Sequence, residues 1–221
     1  MHLSDVRNLV SGLAVTTTIL QFLSGTLVCK QYVKNQTTAE SSPLPFLCGA
    51  LSSALWLLYG LTKHDDKIVL VNTIGVSLMV SYTVVFYIYT FKKSSLLKQI
   101  FVTVSLIIFF IGYVSIEEDN ELLLGRLGLI ACSLTLITIA APMSKLVYVI
   151  KMKNTECLPF PMIVMSFFVS ALWFLYGLIE EDTYLILPNF IGAMLAACQL
   201  SLFLMYPRMP QSPSLTKSIL A

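Results

Sequence analysis

A 23-residue stretch of this 221-residue chain occurs twice, at a constant offset of 117 residues. Residues 53–75 read SALWLLYGLTKHDDKIVLVNTIG, and residues 170–192 read SALWFLYGLIEEDTYLILPNFIG. Thirteen of the 23 paired positions are identical, and they include a tryptophan, a tyrosine, an aspartate and an asparagine. A repeat that keeps its polar and aromatic residues in register predicts a fold built from two copies of one structural unit.

The composition predicts that this unit lies in a membrane. Hydrophobic residues make up 57% of the chain and charged residues only 12%, which is more apolar than a soluble domain of this length requires. Seven apolar runs are each about 20 residues or longer, the length of a helix that crosses roughly 30 Å of hydrocarbon. They occupy residues 8–29, 43–62, 67–91, 96–116, 122–149, 159–179 and 184–206. We therefore predict an all-α integral membrane protein with seven transmembrane helices.

The charged residues predict how this bundle is oriented. Ten of the 14 Lys and Arg residues lie in the breaks after the first, third and fifth runs and in the tail after the seventh. Ten of the 12 acidic residues lie at the opposite ends of the runs. Because cytoplasmic loops carry an excess of Lys and Arg, we expect the N-terminus outside and the C-terminus in the cytosol.

The repeat also predicts how the seven helices are grouped. Helices one to three correspond to helices five to seven, and helix four has no counterpart. This pattern predicts two parallel three-helix repeats joined by a linker helix. Such a 3+1+3 arrangement is typical of some secondary transporters. The expected divisions are the first bundle, the linker helix with an outer loop, the second bundle and a disordered cytosolic tail. They cover residues 1–94, 95–120, 121–206 and 207–221.

Catalytic and cofactor-binding patterns are absent from the sequence. His2 and His64 are the only histidines, and the chain has no phosphate-binding glycine loop, zinc-ligand spacing or nucleophile elbow. The basic residues are spread over four membrane-edge segments, which argues against a nucleic-acid partner. We therefore predict no enzyme activity, no cofactor and no metal ion. Because the acidic residues lie near membrane edges, the pattern favours transport without ion coupling.

Asn72 and Asn189 are the strongest candidates for a ligand site. Each lies seven residues, or about 10 Å of helix, beyond its matched aspartate and therefore near the middle of the membrane. A buried amide in hydrocarbon is costly unless it is paired. Two asparagines that can each donate and accept hydrogen bonds suit a neutral ligand rich in hydroxyl groups. Hydrogen bonding between helices is the alternative role of such a pair.

Trp56 and Trp173 are the only tryptophans, and each lies well inside its predicted helix, too deep for an aromatic belt at the membrane surface. An indole ring can stack on the C–H face of a sugar ring, and its N–H can donate a hydrogen bond. Ser53 and Ser170 lie one turn earlier on the same two helices. These four residues are predicted to line the site together with the asparagines.

Two further pairs predict an outer gate. Tyr59 and Tyr176 lie one turn nearer the predicted outer surface than the tryptophans, and Asp65 and Asp182 lie at that surface. A tyrosine hydroxyl can donate to a carboxylate across the pore and close it. Belt tyrosines and solvated acids are the alternative interpretation.

Candidates for ligand lining and for hinges complete the predicted site. Four polar residues share one face of the first and fifth predicted helices, namely Thr18, Gln21, Thr135 and Thr138. Such hydroxyl groups often bond their own backbone instead of a ligand. Four residues near the predicted cytosolic ends of helices are hinge candidates, namely Gly25, Pro45, Pro142 and Pro159. Proline removes a helix hydrogen bond and permits a kink, although Pro45 and Pro159 also suit simple helix starts.

Taken together, these features resemble the SWEET family of sugar transporters over roughly residues 8–206. The resemblance rests on the 3+1+3 pattern, the doubled W-x-x-Y-G, the doubled asparagine and the prolines. It implies a sugar pocket formed by Asn72, Asn189 and Trp173, with Tyr59 and Asp182 in an outer gate. It also implies hinges at the three prolines, with Gly25 in place of a fourth. The family's size-selecting positions fall on Gln21 and Thr138.

The resemblance implies a bidirectional passive uniporter of monosaccharides such as glucose, with disaccharides as a further option. Trp56 occupies a pocket position that is smaller in some plant members, which favours a monosaccharide. A homo-oligomer, often a trimer in this family, is expected in the plasma membrane, the Golgi membrane or both. A proton-coupled PQ-loop exporter is one alternative, but Phe46 and Met143 follow Pro45 and Pro142, where that class has glutamine. A seven-span receptor, the other alternative, would have no internal duplication.

Overall fold

The computed structural model describes residues 3–140 and 143–208, and within them the chain is helical with short connections. The described residues form nine helices, α1 to α9. In chain order these are Leu3–Leu23, Gly25–Asn35, Leu44–Lys63, Asp66–Tyr89, Lys93–Ile116, Asn120–Ala140, Met143–Met152, Phe160–Ile179 and Thr183–Met205. Helices satisfy their own backbone hydrogen bonds, which is what an apolar chain in hydrocarbon requires.

Seven helical segments in the described residues are long and apolar enough to cross a membrane. The first segment, Ser4–Asn35, contains both α1 and α2, so the predicted run 8–29 was too short at both ends. The fifth predicted run, 122–149, is divided between α6 and α7, with residues 141–142 outside the described part. The prediction of an all-α fold with seven membrane-spanning segments is confirmed.

The first segment breaks between α1 and α2 at Ser24. Tyr82 packs against this break, and its hydroxyl donates to the carbonyl of Phe22 over 3.1 Å. A Cβ on Gly25 would lie only 2.5 Å from the Tyr82 ring, so glycine permits this close approach. The predicted hinge residue Gly25 therefore begins α2 just after a tightened turn, in which Ser24 keeps right-handed helical dihedral angles and its N–H donates to the Gln21 carbonyl over 3.2 Å.

The predicted hinge prolines lie elsewhere. Pro45 is in the first turn of α3, and Pro159 is the residue before α8. A proline removes no intrahelical hydrogen bond at these positions, because the first N–H groups of a helix have no partner within it. The helix-start interpretation therefore describes Pro45 and Pro159 better than a kink does. Pro142 lies outside the described residues.

The helices pack as two similar bundles. In the first bundle α4 lies against both α1 and α3, and in the second α9 lies against both α6 and α8. Across the molecule α1 packs on α8 and α3 packs on α6, so each cross-bundle contact has a matching contact under the repeat. The unpaired helix α5 packs on α3. This arrangement is the predicted pair of three-helix repeats with a linker helix.

Buried apolar residues form one shared core and two separate ones. The shared core takes residues from both bundles, including Ala14, Tyr59, Leu127 and Trp173. It lies toward the end where α3, α5 and α8 finish, which we call the acidic end. At the opposite, basic end the first bundle has its own core around Tyr82, and the second has its own around Ile163. The bundles are thus held together at the acidic end and packed independently at the basic end.

Candidate functional site

Two aspartates at the acidic end begin equivalent helices. Asp65 precedes α4, and its Oδ1 accepts from the backbone N–H groups of Lys67 and Ile68 over 3.0 and 3.1 Å. Asp182 precedes α9 and makes the same two bonds, at 3.0 and 3.2 Å. Both are buried, with 8% and 5% of their surface exposed. A carboxylate is stable here because N-terminal N–H groups and the helix dipole favour negative charge.

The second carboxylate oxygen of each aspartate binds a tyrosine of the opposite bundle. The Tyr59 hydroxyl donates to Asp182 Oδ2 over 2.7 Å, and the Tyr176 hydroxyl donates to Asp65 Oδ2 over 2.8 Å. Both tyrosines are almost completely buried, at 2% and 1% exposure. The four residues predicted as a gate therefore meet in two crossed hydrogen bonds. These bonds close the gap between the two bundles at the acidic end.

Ion pairs that the sequence did not predict reinforce this closure. The Lys63 ammonium lies against Asp182, whose side chain is only 2% exposed. The Arg7 guanidinium pairs with Glu180 across the same interface. Only four basic residues fall near this end of the predicted helices, where most of the acidic residues lie. This rarity is the sequence signal that could have predicted ion pairs there. Lys63 also lies one helical turn after Tyr59, which places both donors on one face of α3.

Each tryptophan is fixed by a threonine of the opposite bundle. The indole N–H of Trp56 donates to Thr135 Oγ1 over 3.0 Å, and that of Trp173 donates to Thr18 Oγ1 over 2.8 Å. Each indole also packs edge to face on the tyrosine one turn away. The prediction that the indole N–H would donate to a ligand does not hold in this conformation, because a threonine accepts it. The ring faces take no part in this bond, and both indoles line the cavity described next.

The two asparagines lie on a cavity between the bundles. The cavity has a volume of about 130 Å³ and lies one turn beyond the gate. Its polar or indole-bearing lining residues are Thr18, Trp56, Asn72, Thr135, Trp173 and Asn189. The Nδ2 of Asn72 donates to the carbonyl of Ile68, and that of Asn189 donates to Leu185, both over 2.9 Å. Because a carbonyl can only accept, the amide nitrogen must point to the helix, and each side chain keeps its oxygen and its second N–H for other partners.

The remaining predicted lining residues lie outside this cavity. Ser53 packs beside Gly75, where an added Cβ would lie 2.7 Å from its Oγ, and Ser170 packs beside Gly192 in the same way. Gln21 donates to Ser166 across the bundles over 2.9 Å. Thr138 is exposed and donates to the carbonyl of Thr135. The serines thus occupy close helix crossings, where small residues let two backbones approach.

Pro188, which the sequence analysis did not identify, lies next to the cavity-lining residue Asn189. It lies inside α9, is buried, and directly precedes Asn189. The equivalent residue of the first bundle is Val71, so only α9 lacks a backbone donor at this depth. Proline removes that hydrogen bond and favours bending. The sequence signal for Pro188 was a proline inside an apolar run at a position where the other copy of the repeat has valine.

The geometry limits what the cavity can bind. The Thr18 and Thr135 hydroxyls donate to their own helices over 2.7 and 2.9 Å and accept from the indoles. Each asparagine nitrogen uses one of its two N–H groups on the helix, so each amide keeps one donor and its acceptor oxygen. No charged residue is among its described lining. A suitable ligand is therefore neutral, can donate hydrogen bonds to the amide oxygens and accept them from the remaining N–H groups, and has an apolar face that can lie against an indole.

These features define a membrane transporter with a neutral polar site between two repeats, and the chain belongs to the SWEET family of sugar transporters. A family model described as "Sugar efflux transporter for intercellular exchange" matches it twice, at residues 8–94 and 125–211. The family comprises transporters and not enzymes, so the predictions of family and of no enzyme activity are confirmed. The chain is an integral membrane protein.

Individual relatives agree with this assignment. Over 201 residues the chain is 40% identical to the sugar transporter SWEET1 of Drosophila pseudoobscura pseudoobscura, covering 90% of this chain and 89% of the relative. It is 36% identical to SWEET1 of Caenorhabditis elegans over 205 residues, which cover 93% of this chain and 67% of the relative. A solved eukaryotic SWEET transporter has the same fold, with a TM-score of 0.80 and 24% identity over 90% of this chain and 97% of that one.

Proposed function

We propose that this protein is a bidirectional passive uniporter of neutral sugars, with a monosaccharide such as glucose as the preferred substrate. The observation that carries this proposal is the pair of asparagine oxygens, which face one cavity between two indole rings. Sugar hydroxyls donate to such acceptors, and the C–H face of a pyranose stacks on an indole. The small cavity volume of about 130 Å³ favours a monosaccharide over a disaccharide.

Transport by this site requires that the two ends open in turn. The acidic end is closed by the crossed tyrosine–aspartate bonds and by the Lys63 and Arg7 ion pairs. The separate cores at the basic end support a motion in which the bundles part there without losing a shared core. Opening the acidic end breaks the four cross-bundle contacts and releases the sugar on that side.

The lining of the cavity favours uniport over ion coupling. Proton-coupled carriers use carboxylates or histidines inside the membrane. In the described cavity the polar residues are threonine and asparagine, which do not titrate near neutral pH. The comparisons do not favour the PQ-loop exporter or the receptor.

The orientation, divisions and assembly are parts of the same proposal. The acidic end faces outward and the basic end faces the cytosol, because Lys and Arg are concentrated at the basic end. Residues 1–94 and 121–206 are the two bundles, residues 95–120 link them, and residues 207–221 are the cytosolic tail, of which 209–221 lie outside the described residues. The protein acts as a homo-oligomer, with a trimer as one option, in the plasma membrane, the Golgi membrane or both.

The decisive test is uptake and efflux of radiolabelled glucose in cells that lack their own hexose carriers. Asn72→Ala and Asn189→Ala should each lower the rate roughly five- to 150-fold, since a lost hydrogen bond to a buried group is worth about 1–3 kcal/mol. Asn35→Ala, at an exposed position at the end of α2, is the matched control and should retain wild-type rates. Wild-type activity in Asn189→Ala would contradict the site. Strong dependence on a proton gradient would contradict uniport.

A further inference from the structure

A second cavity opens at the acidic end of the molecule. It has a volume of about 320 Å³ and lies between the start of α1, the turn from α3 to α4 and the end of α8. Ser11, which is 1% exposed, lines its inner part, and the exposed residues Asp66 and Lys67 line its mouth. The Tyr176–Asp65 gate bond also belongs to its lining. We call this cavity the vestibule.

The two bundles differ at the position of the vestibule, although they share one fold. In the second bundle the equivalents of Lys67 and Ser11 are Tyr184 and Gly128. The Tyr184 ring lies directly over Gly128, where an added Cβ would be only 2.5 Å from it, and packs edge to face on Tyr59. One bundle thus fills this space with an aromatic ring, whereas the other leaves it open and lines it with polar groups.

The lining chemistry identifies a class of ligand. Its three cations, on Arg7, Lys63 and Lys67, are matched by three carboxylates, on Asp65, Asp66 and Glu180. The two sets cancel, which disfavours a strongly charged ligand. The hydroxyl, ammonium and carboxylate groups around one pocket can instead both donate to and accept from a neutral molecule with many hydroxyl groups.

We propose that the vestibule is a second sugar-binding site, occupied while the gate is closed. The ligand class rests on the proposed function, but the vestibule shares no lining residue with the mid-membrane cavity. A sugar in the vestibule reaches Asp65 and Glu180, the acceptors of the Tyr176 and Arg7 contacts. Its hydroxyls compete for these carboxylates, so sugar on this side loosens the closed gate.

Protection of an introduced cysteine from modification tests the proposal without measuring transport. Asn8 lines the vestibule and is exposed, and its equivalent is Gly125, so Asn8→Cys places a small reactive reporter there. The exposed Cys157 and Cys198 are replaced by serine. In lipid nanodiscs a hydrophilic maleimide reaches both ends. Glucose at ten times its Kd should slow modification of Asn8→Cys about 11-fold, because only the unoccupied site reacts.

Three further variants make the result decisive. The slowing should persist when Asn72→Ala and Asn189→Ala remove the mid-membrane acceptors. It should disappear in Ser11→Gly/Lys67→Tyr, which copies the filled arrangement of the second bundle. Glu118→Cys, exposed at the same end but outside the vestibule, should react at a rate independent of glucose. No slowing in the parent, or slowing that vanishes with the asparagines, would overturn the proposal. Failed glucose uptake with persistent protection would contradict the proposed function alone.

Discussion

The two bundles agree in their polar centre and differ around it. Every cross-bundle hydrogen bond of the tryptophans and gate tyrosines has a partner bond at the offset of 117 residues. By contrast, both ion pairs that close the acidic end place the cation on the first bundle and the anion on the second. The interior of α9 contains Pro188 where α4 has Val71. The centre is thus symmetric between the copies, whereas the residues around it are not, so we expect the two halves to contribute unequally if the bundles open and close.

The largest expected effect comes from exchanging the proline between the halves. Val71 is 2% exposed within α4, and Val71→Pro would remove a backbone hydrogen bond and introduce a clash, at a cost of about 3 kcal/mol or more. Pro188→Val should stabilise the protein by about 1 kcal/mol, since it restores one hydrogen bond in α9. Thermal unfolding in detergent micelles measures both. Equal destabilisation by the two changes would show that α9 is built around its proline.

Several parts of this comparison were predictable from sequence, and the reason is the repeat. Residues conserved between the copies, such as Tyr59 and Asp182, act across the interface, so duplication pointed directly to them. The partner of each hydrogen-bonding side chain was not predictable. Whether the Trp173 N–H meets a ligand or Thr18 depends on helix packing that local spacing does not encode. Ser53 shares a helix face with Trp56, yet the close crossing at Gly75 directs it into a helix contact.

The next largest effect concerns the charge on the gate aspartates. Asparagine still caps a helix, so Asp182→Asn and Asp65→Asn remove charge while keeping the cap. Asp182→Asn should weaken the closed state by about 3 kcal/mol, because Lys63 loses its buried partner, and Asp65→Asn by about 2 kcal/mol. Spin labels at the equivalent exposed positions Asp66→Cys and Thr183→Cys report the opening as a distance. Equal changes of the spin-label distance in the two variants would show that Lys63 does not stabilise the closed gate.

A smaller effect is expected where Tyr184 fills the acidic end of the second bundle. Gly128→Ala places a Cβ within 2.5 Å of the Tyr184 ring, and overpacking of this kind costs about 1–3 kcal/mol. Ser11→Ala, at the equivalent position of the first bundle, adds no atom beside the open cavity and loses only the hydrogen bond to the Asn8 carbonyl, so it should cost about 1 kcal/mol or less. Melting temperatures of the two variants compare the halves directly. Similar losses would mean that the difference between the filled and the open cleft has little energetic consequence.

The smallest effect tests whether the symmetric centre is symmetric in energy. Trp56→Phe and Trp173→Phe keep an aromatic face but remove the indole donor to Thr135 or Thr18, a loss of about 1 kcal/mol each. Because the two bonds are equivalent under the repeat, both variants should lower glucose uptake by a similar factor of about five. Thr135→Val and Thr18→Val, which remove the acceptors, should give no further loss in the matching tryptophan variants. A loss confined to Trp173→Phe would show that substrate is held by one bundle, and the ligand site would then share the asymmetry of its surroundings.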